Sequence, residues 1–331
     1  MEFINLNSNT NTGESDEQFS NDVLMGLCSS PKSLSAKYFY DDRGSELFQK
    51  ITDHFDYYPT RSEFEILKNI KTQLPKLFDH QEMDIIELGV GDGHKSRLLI
   101  EGFLDHDVKV NYFPIDISEK AMHLLDKNIP NHDRLETKGV VGDYFDGLRS
   151  IRENSSNPKL VLFLGSNIGN FNPVQAQGFL RRLWRGLNNN DHVLIGFDLK
   201  KHIRTLNAAY NDSAGLTRDF NLNLLTRINR ELGGNFKIED FEHFGSYNPI
   251  LGAMESYLIS VKKQEVFISD LERKFEFDEF EPLHLEYSFK FLRSDIDRLG
   301  KQTGFEILEH FSDHSEFFVD SLWKVRKGLS H

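Results

Sequence analysis

Met83-Asp-Ile-Ile-Glu-Leu-Gly-Val-Gly-Asp-Gly-His-Lys-Ser96 is the stretch on which the fold turns. An apolar run ending in Glu87-Leu88 passes straight into three glycines spaced two apart, Gly89, Gly91 and Gly93. A strand that feeds such a turn brings bare backbone up to a ligand. Side chains at these positions would block the close approach, and the turn calls for φ values that only glycine adopts cheaply. A nucleoside-bearing cofactor at the carboxyl end of this strand is the first expectation.

The spacing bears on which nucleoside. A dinucleotide fingerprint continues G-x-G-x-x-G/A, the third small residue packing the helix onto the strand. Here that position holds His94, whose imidazole disfavours NAD or FAD. The next apolar run, Val108–Ile115, ends in Asp116, where an acid can accept from ribose hydroxyls. Gly-x-Gly-x-Gly after an apolar strand ending in Glu87 resembles the class I S-adenosylmethionine-dependent methyltransferases. That resemblance implies S-adenosyl-L-methionine as methyl donor and an α/β fold with a Rossmann-like sheet.

Composition narrows the class. The chain has 331 residues, enough for one large domain or two smaller ones with an ample core. Its single cysteine, Cys28, rules out an intrachain disulfide framework and any multi-cysteine metal site; no metal is expected, and a reducing, cytoplasmic setting is. A net charge of −13 argues against tracking nucleic-acid backbones, which takes clustered Lys and Arg. The polar N-terminus has no apolar signal region and no apolar run is long enough to span a bilayer, so a membrane role is not expected. The expectation is a monomer acting on a small molecule.

The chain then divides by pattern. Residues 1–15 are low in hydrophobicity and read as a disordered tail. Thr60-Arg-Ser-Glu63 reads as a capping box opening a helix. From there to Leu199 strands and helices alternate, with strands at Met83–Leu88, Val108–Ile115, Gly139–Val141, Leu160–Leu164 and His192–Asp198, each apolar enough for a sheet covered on both faces. Asn172-Pro173 opens a helix by cap and first-turn proline. Beyond Leu199 come helical stretches 201–211 and 216–232, ending at Gly233-Gly234, and alternating segments at 241–247, 252–262, 264–276 and 284–291. Ser294 reads as the cap of a helix to Lys301, and Phe305–Phe311 with Phe317–Val325 as a closing hairpin. The expected organisation is a methyltransferase domain over 61–199 and 288–331, with a discontinuous α+β substrate-binding domain over 16–60 and 200–287.

Three polar clusters fall at strand ends or tight turns: Tyr38–Gly44 with Tyr57–Arg61, Phe163–Asn170, and Glu286–Phe291. The middle one puts Gly165, Asn167 and Asn170 at the carboxyl edge of the sheet, where open α/β folds bind ligands. An amide there can accept from an amine and donate to a carboxylate; a polar turn capping the next helix is the plainer alternative.

Ordered blocks from Pro31 to Val325 carry a more specific resemblance. They are Pro-Lys-Ser-Leu, Phe-Tyr-Asp, Gly-Ser-Glu-Leu-Phe, Tyr-Tyr-Pro-Thr-Arg, Glu-Leu-Gly-x-Gly, Phe-Leu-Gly-Ser-x-Ile-Gly-Asn, Ala-Tyr-x-Asp-x-Ala-Gly-x-Thr, Ile-Asn-Arg-Glu-Leu and Glu-x-Ser-x-Lys-Phe. In these the chain resembles the histidine-specific methyltransferase family, which converts L-histidine to its Nα-trimethyl betaine, hercynine, in ergothioneine biosynthesis. The resemblance implies that Tyr40 and Tyr57 help bind the substrate carboxylate, that Asn170 and Tyr210 hold its amino group, and that Glu286 and Ser288 read the imidazole. It further implies that Gly89 and Gly91 approach the methionyl portion of the cofactor, with Asp116 at the ribose, Asp143-Tyr144 at the adenine, and Lys95 capping the loop. Gly165 joins this cofactor group through its place at the sheet edge.

Each has a plainer reading. Tyr40, Tyr57 and Tyr210 can be aromatic residues at a domain boundary, Glu286 an exposed strand residue, and Asp143 an ordinary turn residue. The chain also departs from the family pattern: where an apolar Met stands beside the substrate ring, after a Glu aligned with Glu255, it has Ser256, with Met254 two positions earlier. A methyltransferase acting on another amino acid or a histidine derivative is therefore a second expectation. A non-catalytic module that binds adenosylmethionine is a third.

Overall fold

A computed structural model describes residues 2–6, 12–117 and 119–328. Its first half runs β1 (Glu2–Asn5), α1 (Thr12–Cys28), α2 (Asp42–Asp53), α3 (Tyr58–Ile70), β2 (Glu82–Leu88), α4 (His94–Leu104), β3 (Lys109–Asp116), α5 (Glu119–Asp126), β4 (Leu135–Val141) and α6 (Tyr144–Asn154). Then come β5 (Lys159–Phe163), α7 (Pro173–Gly186), β6 (His192–Asp198), α8 (Ile203–Tyr210), α9 (Leu216–Leu232), β7 (Phe241–Asn248), β8 (Ala253–Ser260) and β9 (Gln264–Ile268). The last elements are β10 (Arg273–Phe277), β11 (Pro282–Phe289), α10 (Arg293–Thr303), β12 (Phe305–Ser312) and β13 (Phe318–Val325). They form two compact units, the first of Met1–Asn9, Arg61–Lys200 and Phe291–His331, the second of Thr10–Thr60 and Lys201–Lys290.

The first unit is built on one sheet in the order β1-β4-β3-β2-β5-β6-β13-β12. Strands β1 to β6 pair in parallel; β13 runs antiparallel to β6 and β12 antiparallel to β13. This is the class I methyltransferase sheet, with an added edge strand. Every residue of β5 and β6 is buried, as expected of strands covered on both faces. Strand alternation sorts side chains to the two sides: Ile85, Leu160 and Leu162 pack with Leu99 and Phe103 of α4, whereas Ile86, Val161 and Phe163 pack with Leu180 and Leu183 of α7 and with Trp323.

Three sequence expectations need correction. Glu2–Asn5, placed in a disordered tail, pairs in parallel with Lys138–Val141, and Thr12 already begins α1; residues 1 and 7–11 of that tail lie outside the described residues. The helix expected to open at Thr60 begins at Tyr58, with Pro59 in its first turn where a missing N–H costs nothing, so Glu63 is no capping residue but is wholly buried. Ser294 lies inside α10, where the Asp295 carboxylate accepts the Leu292 N–H at 3.0 Å. By contrast Asn172 and Gln175 form a reciprocal capping box at α7, as its Asn-Pro signal suggests.

The second unit packs α1, α2 and α9 with a three-stranded antiparallel sheet, β11-β8-β7, and a β9-β10 hairpin. The segment 264–276, read as one alternating stretch, belongs to this hairpin; Glu272 turns it with φ +47°. The α8–α9 junction explains the Asp-x-Ala-Gly-x-Thr block. Gly215 adopts φ +72° at the start of α9, and Asp212 accepts the Leu216 and Thr217 N–H groups at 2.8 and 2.7 Å. Among the described residues no helix is long and apolar enough to cross a membrane.

Candidate active site

In the first unit, the carboxyl ends of β2, β3 and β5 bring most of the expected cofactor residues together. Gly89 has φ +77°, and a Cβ on it would stand 2.7 Å from the Tyr144 hydroxyl. Gly91 has φ +53° and a Cβ there would meet nothing within 4 Å, so its bare backbone borders open space. Asp116, half-buried at the end of β3, accepts the Val90 N–H at 3.3 Å and so fastens the glycine loop to the neighbouring strand. Asp143 is exposed and caps α6 by accepting the Phe145 N–H at 2.9 Å. Burial pushes the Tyr144 phenol well above its ordinary range, and the nearby charges of Asp116 and Asp143 add to the effect.

The turn after β5 completes this edge. Gly165 has φ +76° and lies near the Asn167 amide, which also lies near Gly89. Ser166 holds a left-handed conformation at φ +57°, and its hydroxyl accepts the Asp198 N–H at 3.0 Å. Asn170 ends the 3₁₀ turn Asn167–Asn170 with its side chain exposed. Lys95 stands in the first turn of α4, 2.5 Å from Glu63 Oε2. Burial pulls its ammonium toward the neutral form, but the Glu63 carboxylate outweighs this and the pKa rises. Bare glycine backbone beside open space, a strand-end acid and a lysine at the following helix fit a nucleoside-bearing cofactor.

In the second unit the expected substrate residues form two groups. Tyr40 packs edge-on against Phe48 and Phe220, with ring centroids 5.4 and 5.6 Å apart, and Tyr57 meets Phe48 at 6.3 Å. The second group is polar. The hydroxyl of Tyr210, the last residue of α8, donates to Ser288 Oγ at 2.7 Å, and the Lys290 ammonium donates to Tyr210 at 2.8 Å and to Ser288 at 2.9 Å. Strand alternation puts Glu286, Ser288 and Lys290 on one face of the β11 segment. Register sets Glu286 opposite Ser256, and Ser288 opposite Met254. Burial raises the Glu286 carboxyl to about 7, with Lys290 pulling the other way. Asn170 belongs to the first unit and Tyr210 to the second.

Two residues escaped the sequence reading, Lys290 in the second unit and Glu63 in the first. Lys290 lay within the quoted Glu-x-Ser-x-Lys block, and its spacing of two from Ser288 was the available signal for a shared face. Glu63 carried the opposite signal, since Thr-x-x-Glu before an apolar run is how a capping box looks.

The model of a family described as histidine-specific, S-adenosylmethionine-dependent methyltransferases matches residues 19–325. A histidine N-alpha-methyltransferase of Mycolicibacterium smegmatis is 35% identical over 282 residues, which is 85% of this chain and 86% of that protein. One of Mycobacterium tuberculosis is 34% identical over 302 residues, 91% of this chain and 93% of that protein. A 4-dimethylallyltryptophan N-methyltransferase of Claviceps purpurea is 30% identical over 260 residues, 72% of this chain and 75% of that protein.

Proposed function

The chain belongs to the histidine-specific, S-adenosylmethionine-dependent methyltransferase family, and from that premise we propose that it methylates the α-amino nitrogen of L-histidine three times in succession, giving the trimethyl betaine hercynine. In this reading Gly89, Gly91, Lys95, Asp116, Asp143, Tyr144 and Gly165 hold the cofactor in the first unit. The second unit is the substrate-binding domain. The cofactor supplies an electrophilic sulfonium methyl, and adenosylhomocysteine leaves as that methyl passes to nitrogen.

The observation that carries the substrate assignment is the Tyr210–Ser288–Lys290 group on the strand that also bears Glu286. The carboxyl of Glu286, held near neutrality by burial, suits an imidazole, because the two groups can share one proton without leaving an unpaired charge. Tyr40 and Tyr57 take the substrate carboxylate; Asn170 and Tyr210 take its amino group. A free amino group is mostly protonated near neutral pH and has no lone pair to offer. The Lys290 ammonium, 2.8 Å from the Tyr210 oxygen, disfavours a second positive charge at that hydroxyl and so favours the neutral amine. The released proton goes to a water held at Tyr210, whose own hydroxyl keeps its proton and donates to Ser288. Most of the acceleration is alignment of nitrogen, methyl carbon and sulfur, an effect that can reach about 7–11 kcal/mol.

A second reading keeps the reaction and changes the side chain of the substrate. Ser256, 2% exposed and opposite Glu286, favours it by leaving a smaller and more polar wall. Mass spectrometry of the protein incubated with adenosylmethionine and the twenty amino acids decides between them. Gain of three methyls on histidine alone is the expected result; methylation of another amino acid supports the second reading. The single cysteine supports a reducing, cytoplasmic setting, and a monomer is the proposed form. Size-exclusion chromatography with light scattering checks the latter.

A further inference from the structure

Glu63 is 0% exposed, in the second turn of α3, and both of its oxygens are used. Oε2 accepts the Lys95 ammonium at 2.5 Å, and Oε1 accepts the Gly165 N–H at 2.7 Å. One carboxylate thus ties the first turn of α4, which follows the glycine loop, to the turn after β5. Those two segments carry Lys95 and Gly165, both assigned above to the cofactor.

The fold makes room for this carboxylate. A Cβ on Gly196 in β6 would stand 2.3 Å from Glu63 Oε1, so the seat requires glycine there. Beside it, in register with Gly196, is Asp320 of β13, itself 0% exposed and, among the described residues, with no donor for either oxygen. An ionised carboxylate in such a place would lose its hydration without compensation. Burial and the Glu63 charge hold the proton on Asp320 well above its ordinary range, while Lys95 pulls the other way. A protonated Asp320 can donate to Glu63, which leaves Glu63 as the ionised partner of Lys95 and the cluster neutral overall.

We infer that Glu63 is a positioning residue for the methyl-donor site: it fixes Lys95 and Gly165 relative to each other, in a seat made by Gly196 and by the buried Asp320. It touches neither cofactor nor substrate. Its effect on catalysis passes through the two residues that it holds. The inference rests on the assignment of Lys95 and Gly165 to the cofactor.

The test measures adenosylhomocysteine binding by calorimetry and thermal unfolding for the wild type, Glu63→Gln and Glu63→Ala. Glu63→Gln keeps an acceptor for the Gly165 N–H but has no charge for Lys95, and Glu63→Ala loses both. The expected result is weaker binding by about 10- to 100-fold in Glu63→Ala, the range by which partners behind the ligands tune metal sites. A smaller loss is expected in Glu63→Gln, and KM for adenosylmethionine should rise in both while KM for histidine stays close to that of the wild type. Wild-type affinity in Glu63→Gln together with a lowered unfolding temperature overturns the inference, since the role is then structural alone; this variant decides the matter if Glu63→Ala does not fold. Failure of the wild type to bind adenosylhomocysteine overturns the cofactor assignment itself. The proton on Asp320 has its own signature, a protonated-carboxyl infrared band present in the wild type and lost in Asp320→Asn; absence of that band in the wild type overturns the proton placement.

Discussion

Glu286 stands directly opposite Ser256 across the β8–β11 pair, and Ser288 opposite Met254. Both pairs lie in an antiparallel ladder, where directly opposed side chains share a face and touch. Ser256 is therefore Glu286's neighbour by geometry, and its departure from the apolar residue of the family pattern bears on the ring that Glu286 is proposed to read. Introducing Ser256→Met restores an apolar wall. If the space beyond Ser256 is where the ring sits, KM for histidine falls and thermal stability barely moves. If that space is already packed, the larger side chain costs about 1–3 kcal/mol of stability and KM does not improve.

The carboxyl of Glu286, raised from its ordinary 4.5 to about 7, gives a dependence on pH with a definite sign. A raised carboxyl binds more protons in the folded than in the unfolded chain between these two values. Its stabilising contribution is complete below about 4.5 and is lost as pH rises through about 7. Binding of histidine runs the other way, since the ionised carboxylate is the better partner for an imidazole N–H and that attraction is lost when the carboxyl is protonated. KM for histidine is expected to rise as pH falls below about 7 in the wild type, and to do so less steeply in Glu286→Gln. Equal slopes in the two proteins would remove Glu286 from the ring site. Denaturant midpoints across the same window should fall less in Glu286→Gln than in the wild type.

Lys290→Met keeps the length of the side chain and removes its charge and both donated hydrogen bonds. On the proposed mechanism the protonated amine is then no longer disfavoured. The kcat–pH profile should shift toward higher pH, and turnover at neutral pH should drop by about 10²–10⁴-fold, the range for loss of assistance to proton removal. Steady-state kinetics between neutral and alkaline pH checks this. A uniform loss at every pH would point instead to a collapsed strand face.

The parts of this architecture legible beforehand were those whose physics is local. Buried parallel strands are continuous apolar runs, so β2, β3, β5 and β6 stand out in the sequence, and the Asn172-Pro173 start of α7 is a pairing of adjacent residues. β1 was hidden because a four-residue edge strand, three of its residues exposed, has almost no pattern to detect. Glu63 was misread because the local signal for a cap and the long-range fact of a buried carboxylate use the same letters. Its partners lie 32 and 102 residues away, and no window along the chain contains them. Lys290 shares that character, reaching a phenol 80 residues earlier.

The glycine loop separates conformational from steric roles. Gly89→Ala brings a methyl to 2.7 Å from the Tyr144 hydroxyl and strains a backbone at φ +77°, so it should lose both stability and cofactor affinity. Gly91→Ala meets nothing within 4 Å. Its stability cost is the left-handed strain alone, about 1–2 kcal/mol, while the added methyl projects where the cofactor is proposed to lie. Calorimetry with adenosylhomocysteine should show a loss in Gly91→Ala out of proportion to its fall in unfolding temperature; unchanged affinity would place the cofactor elsewhere.

Asn170 tests the division of labour within the first unit. It ends the turn that begins just beyond Gly165 and Ser166, yet its own side chain is exposed, whereas Gly89, Tyr144, Asn167 and Gly165 are linked by close approaches. A cofactor role would make its loss resemble that of Gly91. A role in holding the substrate amine would leave the cofactor untouched and misalign the nitrogen with the methyl, an error that costs about 10²-fold or more in rate for a displacement near 1 Å. Asn170→Ala is accordingly expected to lower kcat/KM for histidine by that order while adenosylhomocysteine binds as in the wild type. Parallel loss of both would move Asn170 to the cofactor group and leave Tyr210 as the proposed holder of the amine.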